Sequence, residues 1–421
     1  MSARFLSAFT LLFLIVFRSL GSHVLIPMDE TQKDHLKSYG VAFWLLQQEM
    51  EVDWLLNYRG GSFAFKHVPK VENEMVVRGV SYQVISDAQY NSILNQISDP
   101  EANMDIMKLE KAPKVAVYSP KLKQPWDDAV TLVLTYAEIP YEVLYDDEVM
   151  TDALPKYDWL HLHHEDFTGQ YGKFYSSFRN YPWYIEQQKD AENTAKKYGF
   201  AKVSQLKLAV AKRIKEFVAG GGFMFAMCSA TDTYDIALAA DGVDFIEKMY
   251  DGDGIDPQAQ QKLDYSKTFA FKDFRLFLDP YMYEYSSIDN QAHERGLHEK
   301  NDFFQLFTFS AKWDPIPTML TQNHEKTIKG FMGQTTAFKK SHIKPEVINM
   351  GETKSANEVR YLNGTVGKGT FTFYGGHDPE DYQHMVGEEP TDLALHPNSP
   401  GYRLILNNIL FPAAKKKKQK T

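Results

Sequence analysis

Short apolar runs alternate with amphipathic stretches through the middle of the chain. A run of four to eight apolar residues bounded by turn residues is typical of a buried strand, whereas apolar residues at helical spacing indicate a helix. The predicted strands and helices occupy residues 114–118, 126–137, 141–145, 157–163, 203–219, 223–227 and 232–240. Strands alternating with helices favour right-handed βαβ units. We therefore predict an α/β fold with a doubly wound parallel sheet within residues 111–412.

The same patterning divides the rest of the chain. Residues 23–110 predict a separate α/β unit, with an extended run at 76–86, and Lys111-Ala112-Pro113 is the predicted junction. Two stretches interrupt the βαβ rhythm of the larger domain. An aromatic insertion lies near 167–202, and an insertion near 241–360 contains extended segments that predict additional strands. A last strand at 370–374 and a last helix at 401–410 complete the domain.

Both ends of the chain differ from the body. Arg4 precedes a predominantly apolar run of thirteen residues at 5–17, with small residues after it. This pattern predicts a signal peptide over 1–22, cleaved after Gly21 or Ser22, and the apolar run is too short to span a bilayer. We therefore expect an exported bacterial protein, periplasmic or extracellular, with no transmembrane span in the mature chain; an uncleaved anchor is the alternative. The lysine-rich residues 413–421 predict a disordered tail.

Composition narrows the functional classes. Of 421 residues 43% are hydrophobic, so the chain can bury a large core, and the net charge is −9. No basic stripe interleaves with aromatic residues, so we expect no nucleic-acid partner. Cys228 is the one cysteine, which excludes an intramolecular disulfide.

Cys228 lies between an apolar strand and a helix, where a turn exposes a nucleophile at the carboxyl edge of a sheet. A helix N-terminus lowers a thiol pKa and offers backbone N–H groups to an oxyanion. The small residues Ala226, Ser229 and Ala230 suit a tight elbow, with the Ser229 amide as an oxyanion donor. The alternative is that Cys228 is a buried structural residue.

His377 follows the strand at 370–374 and two glycines, where a partner of a thiol on a neighbouring strand would lie. Asp378 and Glu380 stand beside it. A cysteine nucleophile needs a base that a carboxylate orients. The pattern therefore predicts His377 as the base and Asp378 or Glu380 as the orienting group.

A second polar cluster, at residues 161–166, ends the strand at 157–163. Strand alternation places His161, His163 and Glu165 on one face and His164 on the other. We predict a substrate-binding role for these four residues and for Tyr171 in the aromatic insertion, which could form a wall against a sugar or a peptide. One alternative is a zinc site made by His161, His163 and Glu165, or one that includes His377. The other is an ordinary polar strand end.

Two segments resemble the class I glutamine amidotransferase-like superfamily. They are Gly-Gly-Gly-Phe-Met-Phe-Ala-Met-Cys-Ser-Ala at 220–230 and Gly-Lys-Gly-Thr-Phe-Thr-Phe-Tyr-Gly-Gly-His-Asp-Pro-Glu at 367–380. The resemblance implies a flavodoxin-like sheet, Cys228 as the nucleophile, His377 as the base, and Glu380 or Asp378 as its partner. Ala226 and Ala230 replace the family's two elbow glycines, and one residue is inserted between the histidine and the proline of its His-Pro-Glu motif.

The whole chain also resembles exported bacterial proteins named asparagine synthetase B. The amino-terminal cysteine glutaminase and the pyrophosphate loop of asparagine synthetases are missing, and no Walker or dinucleotide-binding loop replaces them. We therefore predict a Cys–His hydrolase that cleaves an amide or related C–N bond in a small molecule, peptide or glycan. The alternatives are a non-catalytic envelope binding or scaffold protein and a metal-assisted hydrolase. Apart from zinc in that last alternative we expect no cofactor, and the oligomeric state stays open.

Overall fold

A computed structural model describes residues 22–122, 124–290, 292–383 and 385–415. The predicted signal peptide lies outside the described residues except for Ser22, and so does the tail from Lys416 onward. Within the predicted tail, the Lys415 amide donates to the carbonyl of Lys108 at 2.9 Å. The Lys415 ammonium also lies 2.6 Å from Glu110. Among the described residues, no helix combines the length and apolar character needed to cross a bilayer.

The amino-terminal part of the chain forms a five-stranded antiparallel sheet with three helices. Its strands, in the spatial order β4-β1-β3-β2-β5, are β1 (His23–Ile26), β2 (Val52–Leu56), β3 (Ser62–Lys66), β4 (Gln83–Ile85) and β5 (Asp105–Leu109). Its helices are α1 (His35–Gln47), α2 (Pro69–Arg78) and α3 (Asp87–Ser98).

The predicted extended run at 76–86 is wrong in its first part, which belongs to α2. Pro69 occupies the first turn of this helix, where its missing N–H costs nothing. Gly79 then ends the helix with a φ of 73°, a left-handed conformation that glycine adopts without strain. Only the residues of β4 remain extended.

The second sheet contains ten strands among the described residues. They are β6 (Val115–Tyr118), β7 (Glu142–Leu144), β8 (Trp159–Leu162), β9 (Phe223–Met227), β10 (Phe303–Leu306), β11 (Thr327–Lys329), β12 (Phe338–Lys339), β13 (Ile348–Thr353), β14 (Glu358–Val366) and β15 (Gly369–Tyr374). The spatial order is β11-β10-β13-β14-β15-β9-β8-β6-β7, with β12 paired to β14. The five strands β7-β6-β8-β9-β15 are parallel to their neighbours, and the remaining pairs are antiparallel. The predicted α/β fold is confirmed at this level.

Helices cover both faces of the parallel strands. They include α4 (Ala129–Tyr136), α5 (Asp146–Met150), α6 (Tyr175–Phe178), α7 (Pro182–Lys197), α8 (Val203–Gly220), α9 (Ser229–Ala239), α10 (Lys248–Asp251), α11 (Ala292–Arg295), α12 (Pro315–Leu320) and α13 (Pro400–Leu410). Alternate residues of each strand enter different cores, as the pleat requires. On β9, Phe225 joins the core shared with α1, α4 and α13, whereas Met224 joins the core shared with α8 and α9. The first of these cores also contains the amino-terminal sheet, so buried apolar residues connect the two sheets.

The carboxyl ends of the parallel strands meet at one edge of this sheet. Ligands of open α/β sheets bind outside that edge, at the point where the strand order reverses. The chain's ionisable side chains at the ends of β6, β8, β9 and β15 therefore decide what this edge can do.

Candidate functional site

Cys228 occupies a sharp turn between β9 and α9. Its backbone has φ 52° and ψ −141°, a conformation that is strained for any residue with a side chain. Two contacts hold the turn, since the Cys228 amide donates to the carbonyl of Gly376 at 3.2 Å and the Cys228 Sγ accepts from the Gln334 amide at 3.3 Å. The neighbours Ala226 and Ala230 are both fully buried, which agrees with a close strand–helix approach.

The thiol of Cys228 is enclosed by the protein. Only 4% of the residue is exposed, and burial raises the pKa of its thiol to about 11. The N–H groups of Gln334, Ser229 and Thr335 act in the opposite direction but do not outweigh burial. Burial therefore acts against the lowered pKa that the sequence predicts for this thiol.

His377 lies beside this turn, just beyond the end of β15. Strands β9 and β15 are parallel neighbours, with Tyr374 opposite Met227, so Cys228 and His377 follow adjacent strands as the sequence predicted. The glycine before the histidine has a φ of 101°, and a Cβ there would lie 2.4 Å from the ring of Phe331. Gly376 thus allows the chain to pass close to Cys228 and to present His377 at the edge.

His163, His164 and His377 form a compact group, which we call the histidine cluster. The ring centroids are 3.7 Å apart for His163 and His164, 4.7 Å for His163 and His377, and 4.5 Å for His164 and His377. One ring nitrogen from each residue lies within 4.8 Å of the others. His163 and His377 are buried, and His164 is half-buried. Three imidazole nitrogens at this separation can bind one metal ion.

The prediction that His164 faces away from His163 is wrong, because β8 ends at Leu162. Beyond this residue the alternation of a strand no longer applies, and the two rings stack. The turn is fixed from α9, whose Ala230 amide donates to the carbonyl of His163 at 2.9 Å. The Ser229 hydroxyl donates to the carbonyl of His164 at 3.0 Å. The elbow after β9 therefore positions the histidines after β8.

Asp128 supports the cluster from the start of α4. Its Oδ2 lies 3.1 Å from Nε2 of His161 and 3.2 Å from Nδ1 of His163. Its Oδ1 accepts from the amides of Val130 and Thr131, which caps the helix and fixes the carboxylate. Burial acts to raise the pKa of Asp128, but the two imidazoles outweigh it and hold that pKa well below its usual range. Asp128 is therefore an anion against two histidines.

Two of the three rings also have contacts to groups outside the cluster. Nδ1 of His163 lies 3.2 Å from Oδ2 of Asp128 without the geometry of a hydrogen bond, and Nε2 has no hydrogen-bond partner in the described part of the chain. Nε2 of His164 lies 2.7 Å from the carbonyl of Asp127, to which it can only donate, so Nδ1 keeps the lone pair. Histidines that bind metals typically have such an outer contact to a carboxylate or a carbonyl.

Glu165 is separate from the histidine cluster, so the predicted zinc site of His161, His163 and Glu165 is wrong. The Glu165 carboxylate accepts from the Tyr145 hydroxyl at 3.2 Å and lies 3.9 Å from the ammonium of Lys207. Burial raises its pKa to about 7. His161 is fully buried between Asp128 and the carbonyl of Phe225, and burial lowers its pKa.

The carboxylates predicted to orient His377 have other contacts. Glu380 Oε2 lies 3.2 Å from Nδ1 of His396. Asp378 accepts from the Glu380 amide and from the Thr391 hydroxyl, each at 2.8 Å, and these bonds stabilise the turn after β15. Tyr171 is buried against the rings of Tyr184 and Tyr250. The sequence reasoning treated Asp127 and Asp128 only as first-turn residues of a helix. They lie between β6 and α4, and the pairing of β6 with β8 was the signal that could have found them.

Comparisons with known proteins leave the family open. A scan against protein-family models and a search of curated proteins find no match. Among solved structures, the chain is similar to cytoplasmic protein STM3548 of Salmonella typhimurium, with 11% identity, a TM-score of 0.34, and coverage of 72% of this chain and 100% of that one. Cytoplasmic protein STM1381 of Salmonella typhimurium LT2 gives 11% identity, a TM-score of 0.35 and the same coverage.

A third similar structure is a mutant of Gan42B, a GH42 β-galactosidase from G. stearothermophilus. It shows 10% identity and a TM-score of 0.27 over 63% of this chain and 28% of that chain. Likenesses this weak carry no argument about activity. The function must be inferred from the histidine cluster and its surroundings.

Proposed function

We propose that this protein is a metal-assisted hydrolase whose metal ion binds at the histidine cluster. The observation that carries the proposal is the convergence of one ring nitrogen each from His163, His164 and His377 within 4.8 Å. The strand order also supports it. Numbered along the chain, the five parallel strands are arranged 2-1-3-4-5, the order of flavodoxin-like sheets, and the cluster lies at their carboxyl edge.

The donor set favours zinc. Imidazole nitrogen is a preferred zinc ligand, and three protein ligands with one open position are typical of catalytic rather than structural zinc sites. A zinc ion supplies a Lewis acid that polarises a carbonyl and lowers the pKa of water to about 7. Cys228 is not a member of any group of three or more metal-binding side chains among the described residues, so the proposed site does not use the thiol as a ligand.

The surrounding residues would hold the ligands in place during the reaction. Asp128 orients His163 and, through its capping bonds, is itself fixed to α4. The carbonyl of Asp127 orients His164. The buried position of His163 and His377 excludes bulk water from one side, which strengthens electrostatic interactions at the site.

The reaction that we propose is hydrolysis of an amide or a related C–N bond. The oxygen of water forms a bond to the carbonyl carbon, the C–N bond breaks, and the leaving nitrogen takes up a proton. The products are a carboxylic acid and an amine.

A second candidate is the Cys–His amidase that the amidotransferase-like resemblance implies. The specific observation in its favour is the strained backbone of Cys228, with N–H groups directed at the sulfur. In that mechanism His377 is the base. The two candidates exclude each other, because the lone pair of His377 cannot bind a metal ion and accept the thiol proton at once.

The experiment uses p-nitrophenyl acetate and p-nitroacetanilide as probes, with protein purified without a metal-affinity tag. We expect hydrolysis that stops after treatment with 1,10-phenanthroline, returns with added zinc, and persists in Cys228→Ser. The exposed His298 provides the control variant His298→Ala, which should behave like the wild type.

Two results would contradict the proposal. Hydrolysis that survives the chelator and disappears in Cys228→Ser would favour the Cys–His amidase. Full-length folded protein with zinc bound but no turnover of either probe would favour the non-catalytic binding protein.

A further inference from the structure

An aromatic surface adjoins the histidine cluster. It consists of Trp126, Phe174, Phe178, Trp183 and Tyr283, and we call it the aromatic wall. Trp126 lies 5.2 Å from Phe174 and 5.3 Å from Trp183 between ring centroids. Phe178 lies 5.3 Å from Trp183, and Tyr283 lies 6.1 Å from Phe174. Three separate segments of the chain thus bring five rings into contact.

The aromatic wall borders the candidate site on two sides. The ring of Trp126 lies 5.8 Å from the ring of His164. At the other end, Gln334 connects the wall to the elbow, since its side chain donates to the carbonyl of Tyr283 at 3.1 Å while its amide donates to Cys228 Sγ at 3.3 Å. A molecule lying on the wall would therefore reach the histidine cluster.

Buried polar contacts fix the segments that carry the wall. The ammonium of Lys173, which is 2% exposed, donates to the carbonyls of Phe277 and Glu284 at 2.8 Å each. The side-chain amide of Gln334 donates to the carbonyl of Gly172 at 2.8 Å. These bonds join the insertion after β8 to the loop that contains Tyr283. The rings are thus held in place before a ligand binds, which reduces the entropic cost of binding.

The exposure and chemistry of the wall indicate the class of ligand. Tyr283 is 47% exposed and the other four rings are half-buried, so each residue keeps some surface accessible to solvent. None of the five side chains carries a charge, and the two indoles and the phenol place N–H or O–H donors at ring edges. A pyranose has the matching surface, with an apolar C–H face and a rim of hydroxyl groups. A fully apolar ligand would instead require an enclosed pocket.

We propose that the aromatic wall is a sugar-stacking subsite and that the substrate is an oligosaccharide containing an N-acetylated amino sugar. This inference rests on the proposed function, which supplies hydrolysis of the C–N bond. Water adds to the acetyl carbonyl carbon, the bond to the sugar nitrogen breaks, and acetate and the free amino sugar are released. The sugar ring stacks on the wall while its acetamido group reaches the histidine cluster.

The test uses N,N′,N″-triacetylchitotriose and the full-length protein. Binding is measured by calorimetry on zinc-depleted protein, so that it does not depend on turnover, and acetate release is measured on zinc-loaded protein. We expect Trp183→Ala and Tyr283→Ala each to weaken binding roughly ten-fold, the cost of losing one ring contact. Because Tyr283 is exposed, its variant does not threaten the fold. The exposed Trp313 provides the control Trp313→Ala, with unchanged binding.

The outcomes separate the two proposals. Binding that weakens in both wall variants supports the sugar subsite, and acetate release from the trisaccharide then supports the complete inference. Binding of this kind without acetate release supports the subsite but contradicts the hydrolase. Absence of binding, or binding that the wall variants leave unchanged, overturns the sugar inference. Acetate release from an acetyl-lysine peptide in that case would retain the hydrolase and assign a peptide substrate.

Discussion

Two groups of stacked histidines in this molecule have opposite surroundings. In the first, the histidine cluster, His163 and His164 stack at 3.7 Å beside the carboxylate of Asp128. In the second, His35 and His324 stack at 4.0 Å where α1 and α13 meet, and the guanidinium of Arg403 lies 3.2 Å from Nδ1 of His324. Burial and Arg403 lower the pKa of His35 to about 4, and burial, His35 and Arg403 lower that of His324 to about 3.

The hydrogen bonds of the two groups differ in the same way. Both ring nitrogens of His35 have contacts within the protein, at 2.9 Å to Asn398 and 3.1 Å to the carbonyl of Met28. Nε2 of His163 has no such partner among the residues described. A cation beside an imidazole repels a metal ion, whereas a carboxylate attracts one. The two groups share stacked rings but differ in the charge beside them, and under the proposed function the group beside the carboxylate is the one that binds a metal ion.

Among the changes considered, removal of one proposed metal ligand should produce the largest difference between the two histidine groups. We expect His163→Ala to weaken zinc binding by at least about 100-fold, because only two imidazoles remain. His324→Ala, the matched change in the other group, should leave zinc binding unchanged. Competition against a chromophoric chelator measures both affinities. Equal losses in the two variants would show that the histidine groups do not differ as described.

Removal of the charge behind the ring should have the next largest effect. Asp128→Asn keeps a side chain that can cap α4, so the fold should survive. It replaces the acceptor for Nδ1–H of His163, and we expect zinc affinity to fall about 10–100-fold. The corresponding change behind the other group is Asn398→Ala, which should not affect zinc. Asp128→Asn with wild-type affinity would mean that the carboxylate does not support the ligand.

Lowering the pH should decrease the free energy of unfolding, because the histidines of the second group are held neutral in the folded protein. Below pH 6.5 the His35 ring becomes protonated in the unfolded chain, whereas in the folded protein it stays neutral until the pH falls to about 4. The contribution of the neutral His35 ring to the free energy of unfolding is therefore fully present above pH 6.5 and is lost as the pH falls toward 4. For His35 we expect a loss of about 2 kcal/mol between pH 7 and pH 5. Urea unfolding at each pH measures the free energy of unfolding.

The control for this pH dependence is the exposed His298, because His298→Asn should leave the slope unchanged. His35→Asn removes the titrating ring and should flatten the slope. If the slope of His35→Asn equals that of the wild type, the protein does not hold His35 neutral.

The smallest effect is expected at Cys228. This residue is not in any group of three or more metal-binding side chains among those described, so Cys228→Ser should leave zinc affinity unchanged. With a thiol pKa of about 11, alkylation by iodoacetamide at pH 7 should be slower in the folded protein than in urea. Fast alkylation of the folded protein that slows in His377→Ala would instead support the Cys–His amidase.

The sequence predicts more of the fold than of the site. The apolar run before Cys228 and the glycines around it were enough to predict β9, α8 and the elbow. A second apolar run before His377 correctly predicted a strand, and its adjacency to β9 followed from the resemblance. The antiparallel strands β10 to β14 could not be placed, because their pairing depends on contacts distant in the sequence.

Part of the candidate site was predicted correctly, because its residues follow strands. The rest was predicted wrongly, because β8 ends earlier than the sequence indicated. His163 and His377 were identified from their position after apolar runs. The prediction extended strand alternation past Leu162, which wrongly separated His164 from His163 and wrongly added Glu165. Asp128 acts across space from the start of α4, and only the parallel pairing of β6 with β8 places the segment that carries it beside His163.

The metal content of the untagged wild-type protein tests the central claim most directly. The full-length chain would be purified without a metal-affinity step and without chelators, and analysed by inductively coupled plasma mass spectrometry. The histidine cluster predicts about one zinc ion per chain, and the same preparation of His163→Ala should contain none. Wild-type protein that contains no transition metal, and that fails to bind zinc added at micromolar concentration, would contradict the account.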